Sequence, residues 1–496
     1  MYPARNVVVS QGPASPRRGL TLVEILVALV ATLIVMGAVI SVLGSVGSGI
    51  ADSRSQIEVS NRLRSAQLLL RSDLAGATCP GIVWQRPEEG NGYFSIIEGP
   101  MRDDGRYQLK DNTMPYDLVN NPFVRNTTNG NLPAGYFDYK LQGDVDDILL
   151  FTSRSKGLPF VGKEYLNGPN GTATTIQSQV AEVVWFCTPG TVYFGESKDK
   201  NGNPTPIQTY NLHRRIFLVK ASVGNTFTED QPLNGNNYFN GSQLRDVANQ
   251  PNSSPNSNQA TNREYATLHS LNLRKNRAFH YNGYSRGGAN FNPALEFQIF
   301  NNTSQMPLTG NRAGEDIVLS NVLNFDVKVF DPTAPLRNSG GYNVEPTDQG
   351  FTNANNPTNS YGTYIDLGIA LDPTNPYGAN KNNWPLFARG MNFTNPAPGK
   401  LYNVPNVTTG PMTCVYDTWS FGYENDALDQ DRADGTDQGT DGIDSDGVNG
   451  IDDPAERETA PPYPQPLRGV QIRLRVFEPS SKSVRSVSVE ETFVPE

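Results

Sequence analysis

Glu24 is the only charged residue inside a long apolar run, LTLVEILVALVATLIVMGAVISVLGSVGSGI (20–50), and it lies five residues past Gly19. A carboxylate in a would-be membrane span is expensive, so a lone one is a functional signal. A cut between Gly19 and Leu20 would free an α-amine at Leu20, one helical turn from Glu24. Away from water, a carboxylate and an amine are best kept paired, because removing one partner of a buried pair typically costs about 3–5 kcal/mol. A helix N-terminus also favours a nearby negative charge, by roughly 0.3–1 kcal/mol. The plain alternative is a carboxylate that snorkels to the lipid headgroups and leaves register to packing.

A second group of chemistry-bearing residues lies far downstream. Residues 424–458 carry thirteen acids against Arg432 and Arg457. Among them Asp441, Asp444, Asp446, Asn449, Asp452 and Asp453 offer oxygens at close spacing, with glycines between them that allow tight turns. Ca2+ takes six to eight oxygens, and EF-hand loops supply them from D-x-D-G spacings. The match is partial. With Gly447 at the loop's glycine position, position 1 falls on Gly442 and position 12 on Asp453. The expectation is a Ca2+ site without flanking helices; the plain alternative is a solvated acidic linker.

No glycine-rich phosphate loop follows a strand, and His213, His269 and His280 form neither a zinc site nor a recognised catalytic motif. The expectation is a protein that is not an enzyme. With 496 residues there is length for two or three domains, but only 37% of them are hydrophobic, against 46 glycines and 37 prolines. Long loops on a modest core follow from that balance. The net charge of −10 becomes about −13 once a leader holding Arg5, Arg17 and Arg18 is removed, which disfavours a phosphate backbone as partner. No nucleic acid is expected.

The elements that position these groups are legible in part. Residues 20–76 read as one helix in two halves. The first is apolar all round and long enough to span a bilayer over about 20–50. The second keeps a stripe at Val59, Leu63, Ala66, Leu70 and Leu74, expected to pack on its own domain. Gly76 and Cys79-Pro80 end it. Strands are expected at 147–153, 181–187, 215–221, 316–330 (a pair or one bent strand), 363–370, 469–477 and 484–494. In Val470, Ile472, Leu474 and Val476 the alternation is that of an antiparallel strand with one solvated face. Polar stretches at 225–262, 331–362 and 371–412 read as surface insertions. The fold class is α+β: a long N-terminal helix, then an antiparallel β-rich head. Three cysteines, Cys79, Cys187 and Cys414, allow one disulfide and one odd thiol in an oxidising compartment. All three pairings are open; Cys79 with Cys187 is favoured, since one follows the helix and the other ends an apolar strand.

An ordinary secretory signal has a shorter apolar region, roughly 7–15 residues, and a plain membrane anchor leaves Glu24 unexplained. The order Gly19, Leu20, Thr21, Leu22, Val23, Glu24 resembles the class III signal of type IV pilin-like proteins. With RLRSAQLLLRSDLAGA (62–77), DILLFTS, DIVLSNVLNFDVKVF and GVQIRLRVF, the chain is similar to J-type pseudopilins of type II secretion and W-type minor pilins. It departs from them in being about twice their usual length, with Ser41 where many major pilins have a helix-kinking proline.

The resemblance implies a leader at 1–19, a helix at 20–78 and a head at 79–496. It implies cleavage between Gly19 and Leu20 by prepilin peptidase, N-methylation of Leu20, and pairing of Glu24 with a neighbouring subunit's amine. It implies a single pass through the bacterial inner membrane, with a cytoplasmic N-terminus and the head outside. Assembly with other pilins would follow, into a periplasmic pseudopilus or a cell-surface pilus, with this subunit initiating or capping it. The alternative is a pilus-anchored adhesin that binds through the polar insertions.

Overall fold

The structure, a computed structural model, describes residues 21–79, 84–85, 90–98, 143–165, 172–198, 204–219, 226–228, 246–251, 262–272, 277, 307–308, 310–339, 342–346, 351, 358–369, 377, 384–389, 414–420, 443–444, 447–451 and 466–493. Helix α1, Leu22–Ala75, has 54 residues and so runs about 80 Å. The chain divides into two compact units, Met1–Glu58 and Val59–Glu496. In the first, residues 21–51 are all exposed. In the second, Val59, Leu63, Ala66, Leu70 and Leu74 are buried, together with Asp73. This is the expected stripe, and it joins one apolar cluster with the strands of the head. Each fully buried leucine there contributes roughly 1.5–3 kcal/mol.

Asp73 fastens that stripe to the sheet. Its carboxylate accepts two bonds from Arg214, both at 2.6 Å, and one from the Trp185 indole at 3.0 Å. Trp185 and Arg214 are cross-strand partners, so one acid spans two strands. Burial raises the Asp73 pKa, with Arg214 and Trp185 opposing it. The helix ends at Ala75, and the next position, Gly76, has room for glycine alone. A Cβ there would meet the Arg154 backbone oxygen and Ser153 Oγ, while Arg154 N–H donates to the Gly76 carbonyl at 2.7 Å.

The strands among the described residues are β1 (Trp84–Gln85), β2 (Phe94–Glu98), β3 (Ile148–Arg154), β4 (Phe160–Tyr165), β5 (Ala173–Ser178), β6 (Val180–Lys198), β7 (Pro204–Leu218), β8 (Thr226–Thr228) and β9 (Asn249–Pro251). After them come β10 (Asn262–Tyr265), β11 (Ile317–Ser339), β12 (Tyr342–Val344), β13 (Thr358–Ile365), β14 (Cys414–Asp417), β15 (Trp419–Ser420), β16 (Gly469–Glu478) and β17 (Ser483–Thr492). Ten of these make one sheet in the order β14-β2-β3-β6-β7-β11-β16-β17, with β12 and β13 also on β11. Every pairing in it is antiparallel.

The stretch expected as a pair or one bent strand is one strand, β11, of 23 residues. It bends where its register shifts on both sides of Val322, beside Asn321, whose φ is +59°. An extra residue placed this way is how a β-bulge turns a strand. In β16, Val470, Ile472, Leu474 and Val476 are buried as the alternation requires. Its other face is only partly solvated, because Gln471 bonds Glu490 and Arg473 pairs with Glu345.

Several sequence expectations are corrected. The 331–362 stretch is no surface insertion throughout: β11 continues through Ser339 and pairs back with β12 and β13. The 371–412 stretch returns Tyr377, Phe387 and Ala388 to the core, and the 225–262 stretch returns the buried Val247 and Ala248. Polar composition misleads there because a few apolar residues anchor each long segment. The strand expected at 215–221 begins earlier, at Pro204, as the partner of β6.

The favoured disulfide is also absent: Cys79 and Cys187 are both buried thiols, not joined to each other. Cys187 lies on β6 with Asp147 and Asp146 near enough to push its pKa up, after burial. Ala77 bridges Ser153 and Thr78 N–H donates to Thr152 O at 2.9 Å, which sets Cys79 beside the end of β3. The β3–β6 register pairs Leu149 with Trp185, so Cys187 lies level with Asp147 at the other end, and the five residues from there to Thr152 span roughly 16 Å, beyond what a disulfide tolerates between Cα atoms.

Candidate functional site

Thr21 and Glu24 cap the N-terminus of α1 reciprocally. Glu24 Oε2 accepts from the Thr21 backbone N–H and from Thr21 Oγ1, each at 2.9 Å. In return the Glu24 N–H donates to Thr21 Oγ1 at 3.2 Å. This is a capping box, T-x-x-E, which satisfies donors that the first helical turn leaves without partners. The T-x-x-E pattern is legible in the sequence as Thr21-Leu22-Val23-Glu24. The cap does not compete with processing. Thr21 N–H remains an amide after a cut between Gly19 and Leu20, so Glu24 keeps its local bonds and is held toward the new terminus. Gly19 and Leu20 lie outside the described residues.

The apolar run behind the cap is on a helix long and apolar enough to cross a membrane. Thr32 Oγ1 donates to the Ala28 carbonyl at 2.6 Å and Ser53 Oγ to the Gly49 carbonyl at 2.9 Å. Those hydroxyls therefore need no water. That is the condition for placing Ser and Thr where water is absent.

Of the expected Ca2+ ligands, Asp441, Asp446, Asp452 and Asp453 lie outside the described residues. Asp444 and Asn449 are exposed. Gly447, Asn449 and Gly450 take left-handed φ values of +71°, +63° and +98°, so the glycines make the tight turn read from the sequence. The string Gly283-Tyr284-Ser285-Arg286-Gly287 fits G-x-S-x-G, but the elbow requires a strand before it and a helix after. Its neighbours here are glycine and asparagine, and it too lies outside the described residues.

A different acidic group is buried. Glu98 ends β2, and Asp144 and Asp147 precede β3. One carboxylate oxygen from each lies within 4.8 Å of the other two. The side chains are 1–2% exposed. The β2–β3 register pairs Ile97 with Ile148; one further step sets Glu98 opposite Asp147. Gly143 brings in the rest. Its N–H donates to Leu323 O at 3.0 Å, and a Cβ at Gly143 would strike the Asn324 side chain. Beyond it, Phe325 N–H donates to Asp144 O at 2.7 Å and Val327 N–H to Asp147 Oδ2 at 2.7 Å. The segment thus runs along β11 and carries its acids inward.

Burial, then the charges of Asp147, Asp366, Asp144 and Asp326, push Glu98 well above the usual carboxylate range. Burial, then Asp147, Asp146 and Asp326, do the same to Asp144. Unit charges at such separations repel by roughly 3 kcal/mol per pair at an effective dielectric of 20. The sequence signal was Asp144-Val-Asp146-Asp147 running straight into an apolar strand, where acids have no evident reason to be.

Residues 15–40 match the family described as the prokaryotic N-terminal methylation motif. No curated protein and no solved structure matches the chain. The matched residues contain Gly19, Leu20, Thr21 and Glu24, so the chain carries a type IV pilin-like processing signal. Such a signal implies cutting by a prepilin peptidase and assembly with pilins. With its apolar helix it fits a membrane-anchored pilin, and the head is an antiparallel sheet in an α+β chain.

Proposed function

We propose that this protein is a minor pilin or pseudopilin that helps initiate or cap a type IV pilus or a type II secretion pseudopilus. The observation that carries the reading is the exposure of residues 21–51 behind the Thr21–Glu24 cap, inside the methylation motif. An apolar helix face without protein cover belongs against lipid or other helices. Before assembly the bilayer supplies that cover; in a filament, neighbouring helices do. Glu24 then meets the α-amine of an adjacent subunit, and their pairing fixes axial register. The head's length and its elaborations beyond the shared strands support a low-copy subunit over a repeating one, since a repeating lattice tolerates little bulk per subunit. The test is to delete the gene in its native host and count filaments or secreted product, then restore it with wild type or Glu24→Ala. Restoration by wild type alone supports the role. Unchanged filaments and secretion in the deletion contradict it.

A further inference from the structure

We propose that Glu98, Asp144 and Asp147 form a buried site for one divalent cation of the oxygen-preferring class, Ca2+ above others. Ca2+–oxygen distances are about 2.3–2.6 Å, so two oxygens on opposite sides of one ion stand roughly 5 Å apart at most. Three carboxylate oxygens within 4.8 Å of one another meet that bound. An independent observation points the same way: Glu98 Oε2 is fully buried and has no hydrogen-bond partner among the described residues. A carboxylate oxygen at 2% residue exposure with nothing to accept from is what a missing ligand leaves behind. Buried charges are paired or coordinate metals. The nearby ammonium, Lys328, is engaged by Asp366 at 2.8 Å and Asp326 at 3.7 Å.

The donor set selects the ion. It is all carboxylate, without sulfur or imidazole, which favours hard oxygen-preferring cations over zinc. Mg2+ keeps several waters around it, and a site whose three ligands are almost wholly buried has little room for them. Ca2+ accepts flexible geometry, with backbone carbonyls or one or two waters completing its shell. The site is separate from the exposed Asp444–Asn449 turn. Its position gives it a purpose: Glu98 and Asp144 stand 46 residues apart in the sequence, so a shared cation ties two distant points of the chain together. Clips that close long loops are where such a bond stabilises most.

The experiment uses full-length protein in detergent micelles, stripped with EGTA and then dialysed against radioactive Ca2+, with melting followed in parallel. The wild type is expected to bind Ca2+ and to melt at least about 5 °C higher at saturating Ca2+ than in EGTA. Glu98→Gln and Asp147→Asn should lose that gain, while Asp444→Asn keeps it. In EGTA, Glu98→Gln should melt no lower than wild type, because Gln is a neutral, nearly isosteric stand-in for a carboxyl that burial and its acidic neighbours hold toward the protonated form; this separates lost binding from lost folding. Absence of bound Ca2+ in the wild type overturns the proposal. So does a full Ca2+ gain retained by both Glu98→Gln and Asp147→Asn.

Discussion

Both halves of α1 carry apolar residues, 21 of the 31 from Thr21 to Ala51 and 9 of the 24 from Asp52 to Ala75, yet it is the more apolar half that stays uncovered. From Thr21 to Ala51 every side chain is exposed. From Val59 to Leu74 the stripe Val59, Leu63, Ala66, Leu70 and Leu74 is buried while Leu68 stays exposed, and Asp73 is tied to Arg214 and Trp185. Hydrophobicity alone therefore does not say where a helix goes. The second half has mostly polar residues at the remaining positions, with Ile57 and Leu68 left exposed, so one face asks for cover and the head supplies it. The first half is apolar all round, and no single domain face could cover it. The acids differ in the same way. Asp73 receives its partners from its own chain, whereas Glu24 has its local cap among the described residues and, on the proposed reading, meets a neighbouring subunit's amine on assembly.

That contrast can be broken at several points. The largest effect is expected from Gly19→Leu, which should abolish cleavage outright; mass spectrometry would find residues 1–19 still attached, and the head should melt as before. Glu24→Ala comes next. Processing should continue, but loss of a buried pairing worth about 3–5 kcal/mol should reduce incorporation into filaments by a hundredfold or more, read by immunoblot of sheared filaments. The head's melting temperature should again stay unchanged.

Asp73→Ala reverses the pattern. It strands Arg214, which is only 12% exposed, and should destabilise the head by about 3 kcal/mol in denaturant titration while leaving cleavage intact. The smallest effect belongs to Thr21→Val, which removes half of the cap. It should cost roughly 1 kcal/mol locally, seen as faster amide exchange over the first turn of α1, with filament incorporation mostly retained. If Asp73→Ala stopped processing, or Glu24→Ala unfolded the head, the division of labour between the halves would be wrong.

Much of this was legible in the sequence because it rests on local pattern. The stripe from Val59 to Leu74, the alternation in β16 and the acid behind Gly19 each show within a few residues. The α+β class follows from them. What was hidden depends on distant pairing. That β6 and β7 extend well beyond their apolar centres is set by their pairing with each other. The polar stretch after Phe330 is strand because β12 and β13 come back to it. Cys79 and Cys187 looked like partners because nothing local shows that they lie toward opposite ends of β3. The Glu98, Asp144 and Asp147 group joins residues 46 and 49 positions apart, whereas the acid-rich run at 424–458 drew attention by density alone. The T-x-x-E cap was the reverse case, a local signal present in the sequence and masked by a louder one.

The most direct test of the central claim is the N-terminus of the mature protein. Recovered from a host that expresses a prepilin peptidase, the N-terminal peptide can be sequenced by tandem mass spectrometry. The chain is predicted to begin at Leu20, to carry one methyl group on that α-amine, and to read on through Thr21 and Glu24. An uncut chain beginning at Met1, or a terminus beyond Ile50 as an ordinary secretory signal would leave, would contradict the account.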